Sequence, residues 1–197
     1  MTAFINLAAA LSVILSFYAV IPYLISIIHG KTKPHQLSWI IFTIMNGIIF
    51  LSQYLAGGRR SVLIALVAFI DNLAIVILSF RYGVRETSRW DKILFTAALV
   101  TILVWILTDS NATAIWLTVL IDIAASTILI LKIRRYPESE NLQAWSVVTV
   151  AYLCSTLTLS GKPLGILYVR PVYGFISDGA YAVAILYYRR HRLPSKL

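Results

Sequence analysis

Cysteine occurs once in the 197 residues, at Cys154. A lone thiol excludes an intrachain disulfide and a cysteine-rich metal site, and Cys154 reads as a small packed residue. Histidine is nearly as scarce. His29, His35 and His191 fall at segment ends without metal-ligand spacing and read as surface residues, so neither metal nor cofactor is expected. Charged residues make up only 13% of the chain. Enzyme signatures are missing as well: there is no HExxH, no GxSxG and no P-loop pattern. The "SDGAY" stretch around Asp178 is not the context of an intramembrane aspartyl protease. The expectation is a protein that is not an enzyme.

What is present is apolar sequence. Hydrophobic residues account for 59% of the chain and the mean hydropathy is +0.83, more apolar surface than a soluble domain of this size can hide. A membrane span needs about 20 mostly apolar residues, because the hydrocarbon core is about 30 Å thick and a helix rises about 1.5 Å per residue. Seven segments fit: Ala3 to Ile28, Ser38 to Ala56, Ser61 to Phe80, Lys92 to Thr108, Thr113 to Leu131, Leu142 to Leu159 and Gly165 to Tyr188. The fourth and sixth are the shortest. Connectors such as "HGKTKPHQ", "GGRR" and "DSNA" leave no room for a soluble domain. The first segment has no basic residue before it and is too long for a leader's apolar region, so it is expected to remain as a span. Strict apolar–polar alternation, which a β-barrel needs, is absent.

The net charge of +9 is explained by where it sits. Connectors one, three and five and the C-terminal tail must share one side. They hold Lys31, Lys33, Arg81, Arg85, Arg89, Lys92, Lys132, Arg134, Arg135, Arg189, Arg190, Arg192 and Lys196, thirteen of the seventeen basic residues. Arg59, Arg60 and Lys162 lie on the other side, with Arg170 inside the seventh segment. The positive-inside rule then puts the N-terminus outside and the C-terminus in the cytoplasm. Anionic lipid at the cytoplasmic face is the expected partner of this charge, and no nucleic acid is. Trp39, Trp90 and Trp145 fall near cytoplasmic span ends and Trp105 and Trp116 near outer ends, as interfacial anchors do. The expected location is a bacterial cytoplasmic membrane.

Sliding the sequence against itself by 106 positions reveals a repeat. Trp39 falls on Trp145, Thr43 on Thr149, and "AFIDNLA" on "GFISDGA", which sets Asn72 on Asp178. Segments one to three then match five to seven, and the fourth is a linker. A single inserted span gives both triplets the same orientation, as a parallel repeat requires. The expected fold is an all-α integral membrane protein in a 3+1+3 arrangement. Residues 1–81 form the first triple-helix bundle, 82–111 the cytoplasmic loop and linker helix, 112–190 the second bundle and 191–197 a cytoplasmic tail.

The stretch "IPYLISIIHGKTKPHQLSW" resembles the first-helix and loop signature of SWEET and PQ-loop proteins. The 3+1+3 layout and the chain orientation are similar to those of SWEET sugar transporters and of PnuC-type vitamin transporters. The resemblance covers nearly the whole chain in topology and the first triplet in motif. It departs in detail: Tyr23 rather than Gln follows Pro22, and Ile128 stands where the second triplet would need a matching proline. It implies Pro22 as a hinge and an alternating-access mechanism. It also implies that Asn72, with Asp178 as its repeat partner, faces a substrate pocket.

The residues themselves give a polar set at one depth. Asp71, Asn72, Asp122, Asp178 and Ser16 all lie about mid-segment, with Asn46 somewhat nearer the cytoplasmic end. A charged Asp at the bilayer centre costs about 2.5–3.5 kcal/mol on insertion scales, so these groups should face the interior and be paired or protonated. Helix–helix hydrogen bonding is one use for them and a central site is the other. The expected substrate-binding set is Asn72, Asp178, Asn46, its repeat partner Tyr152, Asp122 and Ser16. Asp122, Asp178 and Asp71 are the candidates for proton coupling. Asp71 and Asn72 point about 100° apart, so one of them faces the axis and Asn72 is preferred. Arg170 either snorkels to the outer interface or forms an ion pair at an outer gate.

The leading expectation is a secondary or facilitative carrier of a small polar solute (sugar-, vitamin- or amine-like), working by alternating access. It is open to proton coupling and to oligomerisation. The alternative is a membrane receptor or sensor, in the way that PQ-loop-like folds include cargo receptors of the KDEL-receptor type.

Overall fold

The structure is a computed structural model that describes residues 1–30, 34, 36–83, 85, 89–135 and 137–191. Lys31, Lys33, His35, Arg192 and Lys196 lie outside the described residues, as do the side chains of Ile128, Lys132 and Arg135. Seven helices follow one another: α1 (Thr2–Ile28), α2 (Gln36–Leu55), α3 (Leu63–Tyr82), α4 (Arg89–Thr108), α5 (Asn111–Arg135), α6 (Leu142–Leu157) and α7 (Ile166–His191). Short 3-10 turns at Arg60–Val62 and Pro137–Ser139 lead into α3 and α6. No strand occurs among the described residues.

Local chemistry explains the helix ends. Asn141 caps α6 by accepting a hydrogen bond from the Ala144 N–H at 3.1 Å, which satisfies a donor that the first turn leaves free. Ser110 does the same for the Thr113 N–H at 3.2 Å. Gly57, at φ +83°, turns the chain out of α2, a conformation other residues rarely adopt. Pro22 and Pro171 lie inside α1 and α7, and both helices run through them.

The helices pair in a regular way. α3 packs against both α1 and α2, and α7 against both α5 and α6. Between these groups α1 meets α6 and α2 meets α5, with smaller contacts of α3 with α6 and of α2 with α7. Exchanging α1 with α5, α2 with α6 and α3 with α7 maps this set of pairs onto itself. α4 falls outside the exchange and packs on α2 and α5. Contact between α6 and α7 is tight because Gly174 is a glycine: a Cβ there would lie 2.6–2.8 Å from ring carbons of Tyr152.

Large apolar side chains are exposed along several helices while polar ones are buried beside an apolar core. On α1 the exposed residues are Phe4, Leu7, Leu11, Ile14, Phe17, Ile21 and Ile25, whereas Ser12 and Ser16 are buried. Similar apolar stripes face outward on α3 and α7, over buried Asp71, Ser79, Arg170 and Asp178. In water each such exposed side chain forgoes about 1.5–3 kcal/mol of burial. Among the described residues two helical stretches, Thr2–Ile28 and Arg60–Tyr82, are long and apolar enough to cross a membrane by length and composition.

Candidate binding site

The buried stripe of α7 is Arg170, Pro171, Gly174, Asp178, Tyr181, Ala182 and Ile185. The spacing of three and four residues places them along one face. Arg170 and Tyr181 of this stripe meet α5 and α6.

Arg170 is the centre of the group. It is 8% exposed, so it does not snorkel to a surface. One guanidinium nitrogen donates to Asp122 Oδ2 of α5 at 3.2 Å, closing an ion pair. A second donates to the Tyr152 hydroxyl of α6 at 3.4 Å. The guanidinium carbon lies 5.7 Å from the Tyr152 ring centroid and 5.6 Å from that of Tyr173, within the range of cation–π attraction. A positive charge is thus held by one carboxylate and two aromatic faces. Arg170 Nε has no partner and is fully enclosed. Asp178 is 9% exposed and lies within electrostatic reach of Arg170 and Asp122.

A second set of contacts extends this group along the α5–α7 seam. The Tyr173 hydroxyl is 3.1 Å from Ser126 Oγ and beside the Asp122 carboxylate. Tyr181 donates a hydrogen bond to Ser126, and its ring packs edge-on against Trp145, 4.7 Å between centroids. Ser126, Tyr173 and Tyr181 were not among the residues singled out from sequence. The signal was there: Arg170, Tyr173 and Tyr181 share a helix face, as do Asp122 and Ser126 four residues apart.

The sequence-predicted residues divide. Asp122, Tyr152 and Asp178 come together around Arg170. The others do not join them. Ser16 donates to the Ser12 carbonyl at 2.8 Å, within its own helix. Asn46 donates to the Phe42 carbonyl at 2.9 Å, and its Oδ1 is buried without a partner. On α3 Asp71 is buried and Asn72 only half-buried, so burial ranks this pair opposite to the sequence preference. Asp71 lies two turns beyond Ile64, which packs with Ala151 and Tyr152 of α6. Pro22 is exposed and lines a recess of about 20 Å³ between α1 and α6, room for little more than one water. A wider recess at the α6–α7 end is lined by Glu138, Glu140, Asn141, Leu142, Gln143 and Arg189. Neither recess is lined by a residue of the Arg170 group.

Other polar atoms buried without partners are Gln36 Nε2 at the start of α2, and Ser52 Oγ and both amide atoms of Gln53 near its end. No group of three or more metal-ligating side chains occurs among the described residues. His29 and His191 are exposed and bond carbonyls one turn back, Ile25 and Tyr187. Cys154 is a buried free thiol. Comparison with protein-family models, with curated proteins and with solved structures gives no match.

Proposed function

We propose that the chain is an integral membrane carrier of a small polar solute, with seven spans arranged as two parallel triplets and a linker helix. The observation that carries the reading is the buried charge group Arg170–Asp122–Tyr152–Asp178 inside a helical body whose outward residues are apolar. Charge placed there is costly to insert and a purely structural bundle gains little from it. Support for the triplets comes from the helix pairing, which is unchanged when α1–α3 are exchanged with α5–α7. That pattern agrees with the 106-residue sequence offset and with the SWEET-like resemblance. In this reading α1–α3 and α5–α7 rock against each other at the α1–α6 and α2–α5 contacts. The solute binds near Asp178 and Asp122, and rocking would have to bring Asn72, Asn46 and Asp71 of the first triplet, which lie apart from the Arg170 group in this structure, toward it.

A receptor that binds without translocating is the second reading. It is favoured by one observation: neither of the two recesses described above reaches the Arg170 group. Purified protein in proteoliposomes separates the two. A panel of sugars, vitamins and amines is screened for thermal stabilisation, and stabilising compounds are then tested for uptake. Flux of a stabilising compound supports the carrier. Stabilisation without flux under any imposed gradient sinks it in favour of the receptor.

A further inference from the structure

Two side-chain hydrogen bonds join the first triplet to the second through α6, one near each end of that helix. Gln143, in the first turn of α6, donates to the Tyr18 hydroxyl of α1 at 2.9 Å. Ser155, about 18 Å further along the helix, donates to the Ser61 carbonyl at 3.3 Å. The two ends are unlike. Ser155 and Ser61 are buried, and so are Thr158 and Leu159 next to them. Tyr18 and Gln143 are exposed. Gln143 and Asn141 line both recesses, the wide one of about 540 Å³ and the narrow one of about 20 Å³, and Tyr18 lines the narrow one. The Tyr18–Gln143 bond therefore stands where the wide recess gives way to the narrow one, between α1 and α6.

The repeat supplies a contrast. At the 106-residue offset Tyr18 and Gln143 correspond to Ala124 of α5 and Leu37 of α2, which cannot make such a bond. Leu37 packs instead against the apolar cluster of Ile41, Met45 and Ala98, to which Ile121 of α5 also contributes. Ala98 belongs to α4, so α4 seals the α2–α5 joint. The α1–α6 joint has a recess and a hydrogen bond at the equivalent place. Pro22 lines that recess and has no N–H to give the Tyr18 carbonyl one turn back. α1 is thus least stiff beside the bond.

We propose that the start of α6 is the doorway of this protein, barred by the Tyr18–Gln143 bond, and that α6 swings open about its Ser155–Ser61 end. The proposal rests on the carrier reading, for which it names the moving joint. Breaking the bar merges the narrow recess with the wide one and opens a way into the α1–α6 contact from that end of the molecule. The α2–α5 joint, sealed by α4, stays shut. One neutral hydrogen bond suits a bar that opens and closes in each cycle, because its net contribution is small. A buried ion pair such as Arg170–Asp122 costs far more to part.

Thiol labelling of the full chain in lipid nanodiscs, with Cys154 replaced by alanine, tests the bar. Val147 lines the narrow recess, and a maleimide should reach Val147→Cys slowly. Tyr18→Phe should speed that reaction about fivefold, the shift in an open-to-closed ratio that loss of one ordinary hydrogen bond gives. Gln143→Leu should do the same, and the two together no more than either alone. Gln143→Glu should restore the slow rate, because its carboxylate accepts from the tyrosine hydroxyl. Spin-label distances test the pivot. In Tyr18→Phe the distances between Ile25→Cys on α1 and Ser146→Cys on α6 should spread, and those between Phe4→Cys and Leu157→Cys should not; the labelled positions are all exposed. An unchanged labelling rate in both Tyr18→Phe and Gln143→Leu overturns the bar, and equal spreading at both ends overturns the pivot. Neither readout needs a solute. Absence of flux for every solute removes the carrier reading, and these two results alone then decide the doorway.

Discussion

At the scale of single residues, Arg170 sets the terms. Removing one member of a buried ion pair leaves the other uncompensated, which typically costs about 3–5 kcal/mol. Arg170→Gln, which strands Asp122 and frees the Tyr152 hydroxyl, should therefore lower the thermal midpoint of the protein in detergent markedly. Asp122→Asn should cost less, because the amide oxygen can still accept from Arg170. The double variant should be more stable than the sum of the two single losses allows, the signature of direct coupling. Additive losses would show that the pair at 3.2 Å contributes nothing as a pair. Gly174 offers a second test. An alanine methyl would press on the Tyr152 ring, and the hydroxyl of that ring is already engaged by Arg170. Gly174→Ala should cost about 1–3 kcal/mol as an overpacked contact. Tyr152→Leu in the Gly174→Ala background should recover part of the loss, and thermal unfolding of the three variants reads this directly.

At the scale of helices, much was legible in the sequence. The apolar runs and brief polar connectors gave seven helices whose limits differ from the expected segments by a few residues, as with Ser61 to Phe80 against Leu63–Tyr82. Helices are readable because their length and apolarity are properties of contiguous residues. Which side of a helix faces inward is a property of its neighbours, and here sequence reasoning was less sure. It could place Asp71 and Asn72 at right angles or so, yet not say which of them would be buried. It placed Arg170 inside the seventh segment and weighed snorkelling against an outer-gate ion pair, because the partner Asp122 lies 48 residues away on a helix of unknown rotation. Ser126 passed unremarked for the same reason: a single serine has meaning only once two tyrosines of another helix stand over it. The outward stripe of α1 allows a test at this scale. Ile14→Lys puts a cation in the middle of an exposed face and should disfavour membrane insertion by about 2.5–3.5 kcal/mol. Ser16→Ala, on the buried side, should insert normally. Glycosylation-tag reporters of insertion distinguish these, and equal insertion of Ile14→Lys would count against a lipid-facing α1.

At the scale of the molecule, the proposal makes a claim about sides. With Cys154, already buried, replaced by alanine, single cysteines at Lys162 and at Arg190 should be labelled by impermeant thiol reagents from opposite faces of a sealed vesicle. Labelling of both from one face would break the seven-span arrangement. The two halves are also unequal in a way that their shared pairing hides. At the repeat offset Arg170, Tyr173, Tyr181 and Ser126 correspond to Ile64, Val67, Ile75 and Val20, so the charged seam belongs to one half only. Motion of the other half is felt there through α6, which touches α1 and α3 as well as α7. The close fit of Tyr152 on Gly174 gives this motion a clock. A tyrosine ring can turn over about its axis only when its flanks open, and here one flank is a helix backbone. Ring reversal of Tyr152 must therefore wait for α6 and α7 to part, shifting it from the nanoseconds of a free side chain toward the microseconds to milliseconds of helix motion. Fluorine on that one ring would let the rate be read in a nuclear resonance line shape, helix separation timed by a single side chain.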